Sequence, residues 1–491
     1  MGVALEHLDV LIVGAGLSGI GAAVHLRRRC PGHRLAILEG RERSGGTWDL
    51  FRYPGVRSDS DMYTLGYAFK PWAGAKAIAD GPAILAYLRE TAREHGIEPL
   101  IRYRHRVIAA AWSSAEARWT VEVERDDGAG PLRLSCGFLF LCSGYYRFDH
   151  GHEPDFAGRA RFAGRIVHPQ HWPDDIDWSG QRVLVIGSGA TAITLVPALA
   201  RTAAHVTMLQ RSPTYVVALP SRDRGAERLQ RVLPARWAYA LTRWQRIVLG
   251  QLFFQYCRRW PRRARALLRR GVRAGLGPDF DVDTHFAPRY NPREQRLCLA
   301  PDGDLFRALR SGRASVVTDR IETFTERGVA LASGATIDAD LIVTATGLEL
   351  QALGGLRLTV DGRAVDPARA VQYKGTMLAD VPNLAQSFGY TNASWTLKSD
   401  LTAEYVCRLL EHMRRHGFVQ CTPRNRDPAL ATAPAIDFSS GYVRRAIEQL
   451  PRQGTRVPWR LHQNYLRDLA LLRYGRLADG AMEFSRPSAR A

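Results

Sequence analysis

The stretch Asp9-Val10-Leu11-Ile12-Val13-Gly14-Ala15-Gly16-Leu17-Ser18-Gly19 decides the fold. An apolar strand over 9–13 runs into G-x-G-x-x-G, and a helix-like segment follows over 20–29. A second strand, Leu35-Ala36-Ile37-Leu38, ends in Glu39, 20 residues after Gly19. Strand, glycine turn, helix, strand and acid together form the signature of a dinucleotide-binding βαβ unit. Gly14 permits the tight turn, Gly16 admits a pyrophosphate close to the backbone, and Gly19 lets helix and strand pack. The free N–H groups at the helix start, Ser18 among its first residues, suit that pyrophosphate. Glu39 is placed to accept hydrogen bonds from ribose hydroxyls.

A second unit of the same kind follows. The strand Arg182-Val183-Leu184-Val185-Ile186 leads into Gly187-Ser188-Gly189-Ala190-Thr191-Ala192, an apolar helix over 193–201, and a strand over 205–209. Ala192 replaces the third glycine, a variation that the motif allows. The second strand is followed by Gln210-Arg211-Ser212, with no acid. A carboxylate there would repel a 2′-phosphate, whereas the Arg211 guanidinium can bind one bidentately. This site therefore favours NADPH over NADH. Two dinucleotide sites in one chain imply two cofactors that exchange a hydride. The fold class expected is α/β, with two Rossmann-like domains and a helical insert.

Between the two units lies Phe162-Ala163-Gly164-Arg165-Ile166-Val167-His168-Pro169-Gln170-His171-Trp172, which spells F-x-G-x-x-x-H-x-x-x-W. The pattern resembles the signature of Baeyer–Villiger monooxygenases, FAD enzymes that insert one atom of O2 into an organic substrate. Several other segments resemble the same family. Gly45-Gly46-Thr47-Trp48 is similar to its second flavin-contact element, and Tyr53-Pro54-Gly55-Val56-Arg57-Ser58-Asp59 to its Y-P-G-x-R-x-D run. Leu139–Gly144 and Asp340–Gly347, with Ala345-Thr346-Gly347, are similar to the strands that join its two nucleotide domains. Segments 389–398 and 459–461 and His285-Phe286 resemble its mycobacterial ethionamide-activating branch, so the similarity spans about 5–485.

The resemblance implies an FAD domain split between 1–150 and 339–491. An NADPH domain (151–221 and 277–338) is inserted within it and is itself interrupted by helices over 222–276. It also implies a reaction: NADPH reduces FAD, a flavin peroxide (C4a-peroxyflavin) forms with O2, and ketones become esters or lactones while thioether or thioamide sulfur is oxidised. By the same resemblance Arg296 and Asp59 are catalytic, a fixed positive charge favouring the nucleophilic form of the peroxide. The family's Lys-Arg pair falls at Gln295-Arg296, so the first position departs from it. FAD contacts are expected at Gly14, Gly16, Ser18, Gly19, Glu39, Gly46, Thr47, Trp48, Asp59 and Val107. NADPH contacts are expected at Gly187, Ser188, Gly189, Ala190, Thr191, Arg211, Ser212 and Gln295, with Asn392 and Trp395 near nicotinamide and flavin. Phe162, Gly164, His168 and Trp172 are expected to form a hinge in the connection between the two domains. The other reading is a non-oxygenating or N/S-oxidising FAD/NADPH oxidoreductase, which needs only the two nucleotide sites.

Composition narrows the setting. The formal net charge of +20 comes almost wholly from Arg, with Lys only at 70, 76, 374 and 398. It reads as spread along the chain, with a local concentration at 258–273, which argues against nucleic-acid binding. Seven Cys (30, 136, 142, 257, 298, 407, 421) form no C-x-x-C pair, so neither dithiol chemistry nor a metal site is expected, and a cytoplasmic setting is. With a strand already over 9–13, no signal peptide is expected in this sequence. Residues 222–276 carry Leu229, Val232, Leu233, Trp237, Leu241, Trp244, Ile247 and Val248 at helical spacing. The main expectation is a core-facing stripe on helices that cover the substrate side. The alternative is a basic helix lying on an anionic membrane. Residues 423–437 read as a loop and 486–491 as a frayed end. Partners are thus a small ketone or organosulfur substrate and O2, and the oligomeric state is open.

Overall fold

The computed structural model describes residues 5–126, 130–436 and 438–487. Two sheets organise the chain, and each contains a strand that runs out into a glycine turn. The larger is built on β1 (Glu6–Val13), followed by α1 (Leu17–Arg29) and β2 (Leu35–Leu38), with β3 (Ile101–Arg102) beyond it. On the other side of β1 lie β6 (Leu132–Leu141), β5 (Arg118–Arg125) and β4 (His105–Ser113), a meander that hairpins back. The register Val10↔Leu35 and Val13↔Leu38 is parallel, as the βαβ crossover requires.

The smaller sheet is all parallel. It comprises β7 (Arg165–Val167), β8 (Arg182–Ile186), β9 (His205–Gln210), β10 (Ala314–Thr318) and β11 (Leu341–Thr344), in the order β10-β9-β8-β11-β7. After the chain leaves β11 it returns to the larger sheet. There β12 (Arg357–Val360) pairs β4, β13 (Arg363–Ala364) pairs β12, and β14 (Leu384–Gln386) pairs the last residues of β6. The larger sheet is therefore drawn from both ends of the sequence.

The glycine-turn helices start earlier than their apolar runs suggested, at Leu17 and, for α3 (Ala190–Leu199), at Ala190. Gly16 and Gly189 are the N-caps, so the third position of each motif lies inside the first turn of its helix. The run 162–172 is also more than a connection. Arg165–Val167 is the edge strand of the smaller sheet, in parallel register with Leu341–Val343. The 423–437 loop contains a short strand, Thr432–Pro434, that pairs with Arg452–Gly454. Of the expected frayed end, residues 488–491 lie outside the described residues.

The insert is helical as expected: α4 (Arg224–Val232), α5 (Ala235–Arg259) and α6 (Pro261–Leu276). Its apolar stripe does not face the core. Of the eight positions read as core-facing, only Ile247 is buried, whereas Val232 is 75%, Trp237 66% and Leu241 50% exposed. The inward face of α5 instead carries Ala238, Tyr239, Thr242 and Arg243. Arg243 Nη1 donates to the carbonyls of Tyr63 and Gly66, each at 2.7 Å, and so anchors α5 on the short helix α2 (Met62–Leu65). Backbone carbonyls at the end of a one-turn helix need donors, and a buried guanidinium supplies several at once. Among the described residues no helix is long and apolar enough to cross a membrane.

Candidate functional site

Both glycine turns are built by steric necessity. Gly14 has φ +100°, and a Cβ there would lie 2.7 Å from the Cys142 carbonyl oxygen. Gly187 has φ +139°, and its Cβ would lie 2.3 Å from the Ala345 carbonyl oxygen. Only glycine fits either position. Gly16 and Gly46 face each other so closely that a Cβ on Gly46 would sit 3.0 Å from Gly16 Cα, whereas a Cβ on Gly189 would meet nothing within 4 Å. No side chain caps α1 or α3, so the N–H groups of both helix starts remain available to an anion.

Glu39 is buried. Its two carboxylate oxygens accept from Ala15 N at 2.8 Å and Arg41 N at 3.0 Å. Burial pushes its pKa up, and these two backbone hydrogen bonds oppose the shift. His105 N donates to the Glu39 carbonyl at 2.9 Å, which brings Val107 on β4 to the same end of the larger sheet. Thr47 opens a single helical turn, Thr47–Leu50, that also carries Trp48. Arg41, not foreseen from sequence, donates to the Gly46 carbonyl at 3.1 Å and pairs with Asp49 at 2.7 Å, which fixes the Gly45-Gly46-Thr47 turn.

At the second turn, Ser188 Oγ donates to the Ser212 carbonyl at 2.9 Å. Arg211 and Ser212 are exposed, and among the described residues no salt bridge engages Arg211. Thr191 lies against Tyr53, whose phenol burial pushes up to about 12 while the Thr191 hydroxyl opposes the shift. A Cβ on Gly55 would lie 2.8 Å from the Ala198 methyl, so the Tyr53-Pro54-Gly55 run packs on α3 and brings the two units together.

Arg296 borders a cavity of about 250 Å³ with Tyr145, Phe388, Tyr390, Trp395, Phe438 and Tyr442. Burial disfavours its charge, but Tyr145, Tyr146, Tyr442 and Asp59 more than offset this and hold its pKa above the usual arginine range. Among the described residues, Arg296 Nε is buried without a hydrogen-bond partner, as are Arg293 Nε, Asn392 Oδ1 and Ser394 Oγ. Asp59 is raised by burial and lowered by Arg296 and Arg57. The expected Asp59–Arg296 pair is not a contact: among the described residues no hydrogen bond or ion pair within 4.0 Å joins them, and they act on each other through space. The reason is geometric. Arg57, two residues before Asp59, is anchored on Asp304 at 2.5 Å and the Leu299 carbonyl at 3.2 Å, while Arg296 is surrounded by phenols.

Trp395 opens α7 (Trp395–His416), donates from Nε1 to Ser18 Oγ at 2.9 Å, and stacks on Tyr145 at 5.0 Å and 7°. Two expected contacts, Ser18 and Trp395, thus meet directly. Asn392 Nδ2 donates to the Gln463 carbonyl at 2.8 Å. Gln295 Nε2 donates to Ser439 Oγ at 3.4 Å, and no described contact links it to Arg211 or Ser212. Tyr145, Tyr146 and Tyr442 were missed from sequence. The first two follow the Ser143-Gly144 exit directly, and that adjacency was the available signal.

The fingerprint residues lie apart from this cavity and clamp the two crossings between sheets. His168 Nε2 donates to the Gly347 carbonyl at 3.2 Å, and its Nδ1 accepts from Gln170 N at 3.2 Å. Gln170 Nε2 donates to the Arg147 carbonyl at 2.8 Å, and Arg147 N to the Glu349 carbonyl at 2.9 Å. Phe162 is buried, a Cβ on Gly164 would lie 2.5 Å from the Asp340 carbonyl oxygen, and Trp172 meets Trp178 edge-on at 5.8 Å. Burial lowers the His168 pKa, so the ring stays neutral and keeps this tautomer.

Residues 78–248 match the flavin-binding monooxygenase-like family and residues 12–74 an NAD(P)-binding Rossmann-like domain. The FAD-containing monooxygenase EthA of Mycobacterium tuberculosis (strain ATCC 25618 / H37Rv) is 54% identical over 483 residues, which cover 98% of this chain and 98% of that relative. This chain belongs to the EthA-like FAD-containing monooxygenases. Among solved structures, an oxidized steroid monooxygenase bound to NADP aligns with TM-score 0.74 at 23% identity, covering 98% of this chain and 100% of that one. OTEMO in complex with FAD and NADP aligns with TM-score 0.74 at 20% identity, covering 97% and 99%. The cofactors of this monooxygenase are accordingly FAD and NADP(H). The residues in place fit them: two helix starts without side-chain caps, glycines where a Cβ would clash, and buried polar atoms with no hydrogen-bond partner among the described residues.

Replacing His168 with Ala removes two hydrogen bonds of the clamp. Urea titration at pH 7.5 is expected to show a loss of about 1–3 kcal/mol. His168 is neutral in the fold with a pKa below its ordinary 6.5, so its contribution is complete above 6.5 and fades as pH falls below that value. The gap between parent and variant is therefore expected to narrow at pH 5.5. A gap that widens there contradicts the neutral clamp.

Proposed function

We propose that this monooxygenase converts ketones to esters or lactones by Baeyer–Villiger oxygenation and also oxidises the sulfur of thioethers and thioamides. The observation that carries this reading is Arg296, a guanidinium held charged beside an aromatic cavity. We assign 1–150 and 339–491 to the FAD domain, 151–221 and 277–338 to the NADPH domain, and 222–276 to a helical insert. FAD, held at the first turn, would supply hydride acceptance from NADPH and the activation of O2.

The chain's own residues set the outcome. Glu39 orients a ribose at the first turn, and the bare N–H groups of α1 face the pyrophosphate. Arg211 takes the 2′-phosphate at the second. Arg296 supplies a fixed positive charge where negative charge develops on oxygen, which favours nucleophilic attack on a carbonyl. Asp59 acts on Arg296 at a distance, and the rings of Tyr145, Phe388, Trp395 and Tyr442 exclude water from that charge and accept an apolar substrate. A second cavity shares Tyr145, Phe388 and Ile436 with the first, so the two adjoin along those side chains. The seven cysteines are all buried free thiols, which supports a cytoplasmic setting.

The test uses yellow, FAD-loaded enzyme with NADPH and either phenylacetone or a thioether. Arg296→Ala is expected to keep flavin reduction largely intact while ketone oxygenation falls by at least about a hundredfold. Ester formation at the parental rate sinks the assignment of Arg296. Arg211→Ala is expected to raise the KM for NADPH by about tenfold to a hundredfold and leave that for NADH nearly unchanged, since only the former carries the phosphate. Equal changes for both cofactors count against it.

A further inference from the structure

We propose that the outward face of α5, together with the arginines around it, docks on the surface of an anionic lipid bilayer. The face is apolar and continuous. Trp237, Leu241, Trp244, Val248 and Leu252 all lie on the exposed side, with Trp237 at 66% and Leu252 at 60% exposure. At about 100° per residue they fall within an arc of roughly 80°, along roughly 22 Å of helix. A soluble surface helix normally turns such residues inward and its charges outward. Here the order is reversed, with Arg243 inside and Trp237 outside.

Charge complementarity selects the occupant. The insert 222–276 contains fifteen Arg and two acids, so it carries thirteen of the chain's twenty net positive charges. The concentration is thus much wider than the 258–273 run. Both acids are engaged internally: Asp223 caps α4 and pairs with Arg246, and Glu227 pairs with Arg222 at 2.8 Å. Arg231, Arg236, Arg262 and Arg263 are exposed, and no salt bridge joins them to an acid among the described residues. A second copy would bring the same positive face and be repelled. An anionic bilayer offers what both parts of the surface need: phosphates for the arginines, and an interface in which Trp rings and leucines leave water. Trp260, 46% exposed at the junction of α5 and α6, extends the set of interfacial indoles.

The placement connects docking to chemistry. On the inner side of the same helix Ile247 packs with Tyr390 and Leu397, and Tyr390 lines the cavity beside Arg296. The docked face therefore lies about one helix diameter, roughly 10 Å, from the substrate cavity. An apolar substrate dissolved in the bilayer would be released next to the place where it reacts.

The experiment is flotation of FAD-loaded enzyme with two kinds of vesicle, phosphatidylcholine alone and phosphatidylcholine with about 30% phosphatidylglycerol, in about 0.15 M NaCl. Two triple variants accompany it: Trp237→Ser with Leu241→Ser and Leu252→Ser, and Arg231→Glu with Arg236→Glu and Arg262→Glu. All six side chains are exposed, so flavin content and NADPH oxidation in solution should match the parent. The parent is expected to float with the anionic vesicles and not with the neutral ones. The apolar variant is expected to lose at least tenfold in partition and the charge variant roughly a hundredfold, at about fivefold per arginine. Equal binding to both vesicles, or undiminished binding of both variants, overturns the proposal. So does a parent that stays in solution as a dimer which the apolar variant breaks, or one that binds duplex DNA while ignoring vesicles.

Discussion

The hydrogen bonds that join the two crossings to each other, Arg147 N to the Glu349 carbonyl and Gln351 N to the Tyr145 carbonyl, and to the edge strand, His168 to the Gly347 carbonyl and Gln170 to the Arg147 carbonyl, are the constraint on which the rest of the molecule depends. Each cofactor turn is pressed against the start of a crossing: Gly14 against Cys142 at the end of β6, and Gly187 against Ala345 at the end of β11. Close packing transmits displacement because neither contact has slack. A shift of one crossing must carry its glycine turn with it, and His168 with Gln170 ties both crossings to the edge strand β7. The run 162–172 is therefore a clamp built into the smaller sheet. It ties both crossings to the smaller sheet and does not line the cavity beside Arg296.

The second constraint is the burial of a charge. A guanidinium out of water is costly unless its surroundings answer it. Arg296 is answered by three phenols nearby and one carboxylate farther away. That arrangement differs from a closed ion pair in a useful way. A guanidinium bound face to face with Asp59 would have its field largely cancelled, whereas one facing phenols keeps that field available to a developing oxyanion.

How far the sequence could be read follows from how local each feature is. Gly14, Gly19 and Gly187 were legible because a backbone position that tolerates no Cβ leaves one residue type to choose from. The positions of Glu39 and Arg211 just past the ends of β2 and β9 were legible for a similar reason, since each lies at a known offset from its turn. The phenol surround of Arg296 was not, because Tyr145 and Tyr442 come from segments nearly 300 residues apart and meet only through the fold. Gln295 contacts Ser439, again a pairing across distant segments. The helical insert was legible in its periodicity, but the direction of its apolar face was not. Periodicity reports that a face exists and is silent on which side the rest of the protein stands.

In the proposed reaction an atom of O2 reaches the product when Arg296 and both cofactors are in place. Incubating FAD-loaded enzyme with NADPH, phenylacetone and isotopically heavy O2, and following NADPH, H2O2 and the ester together, tests it most directly. One heavy oxygen atom in the ester for each NADPH consumed, with little H2O2, is the expected result. NADPH consumption matched by H2O2, with no label in any organic product, would contradict it.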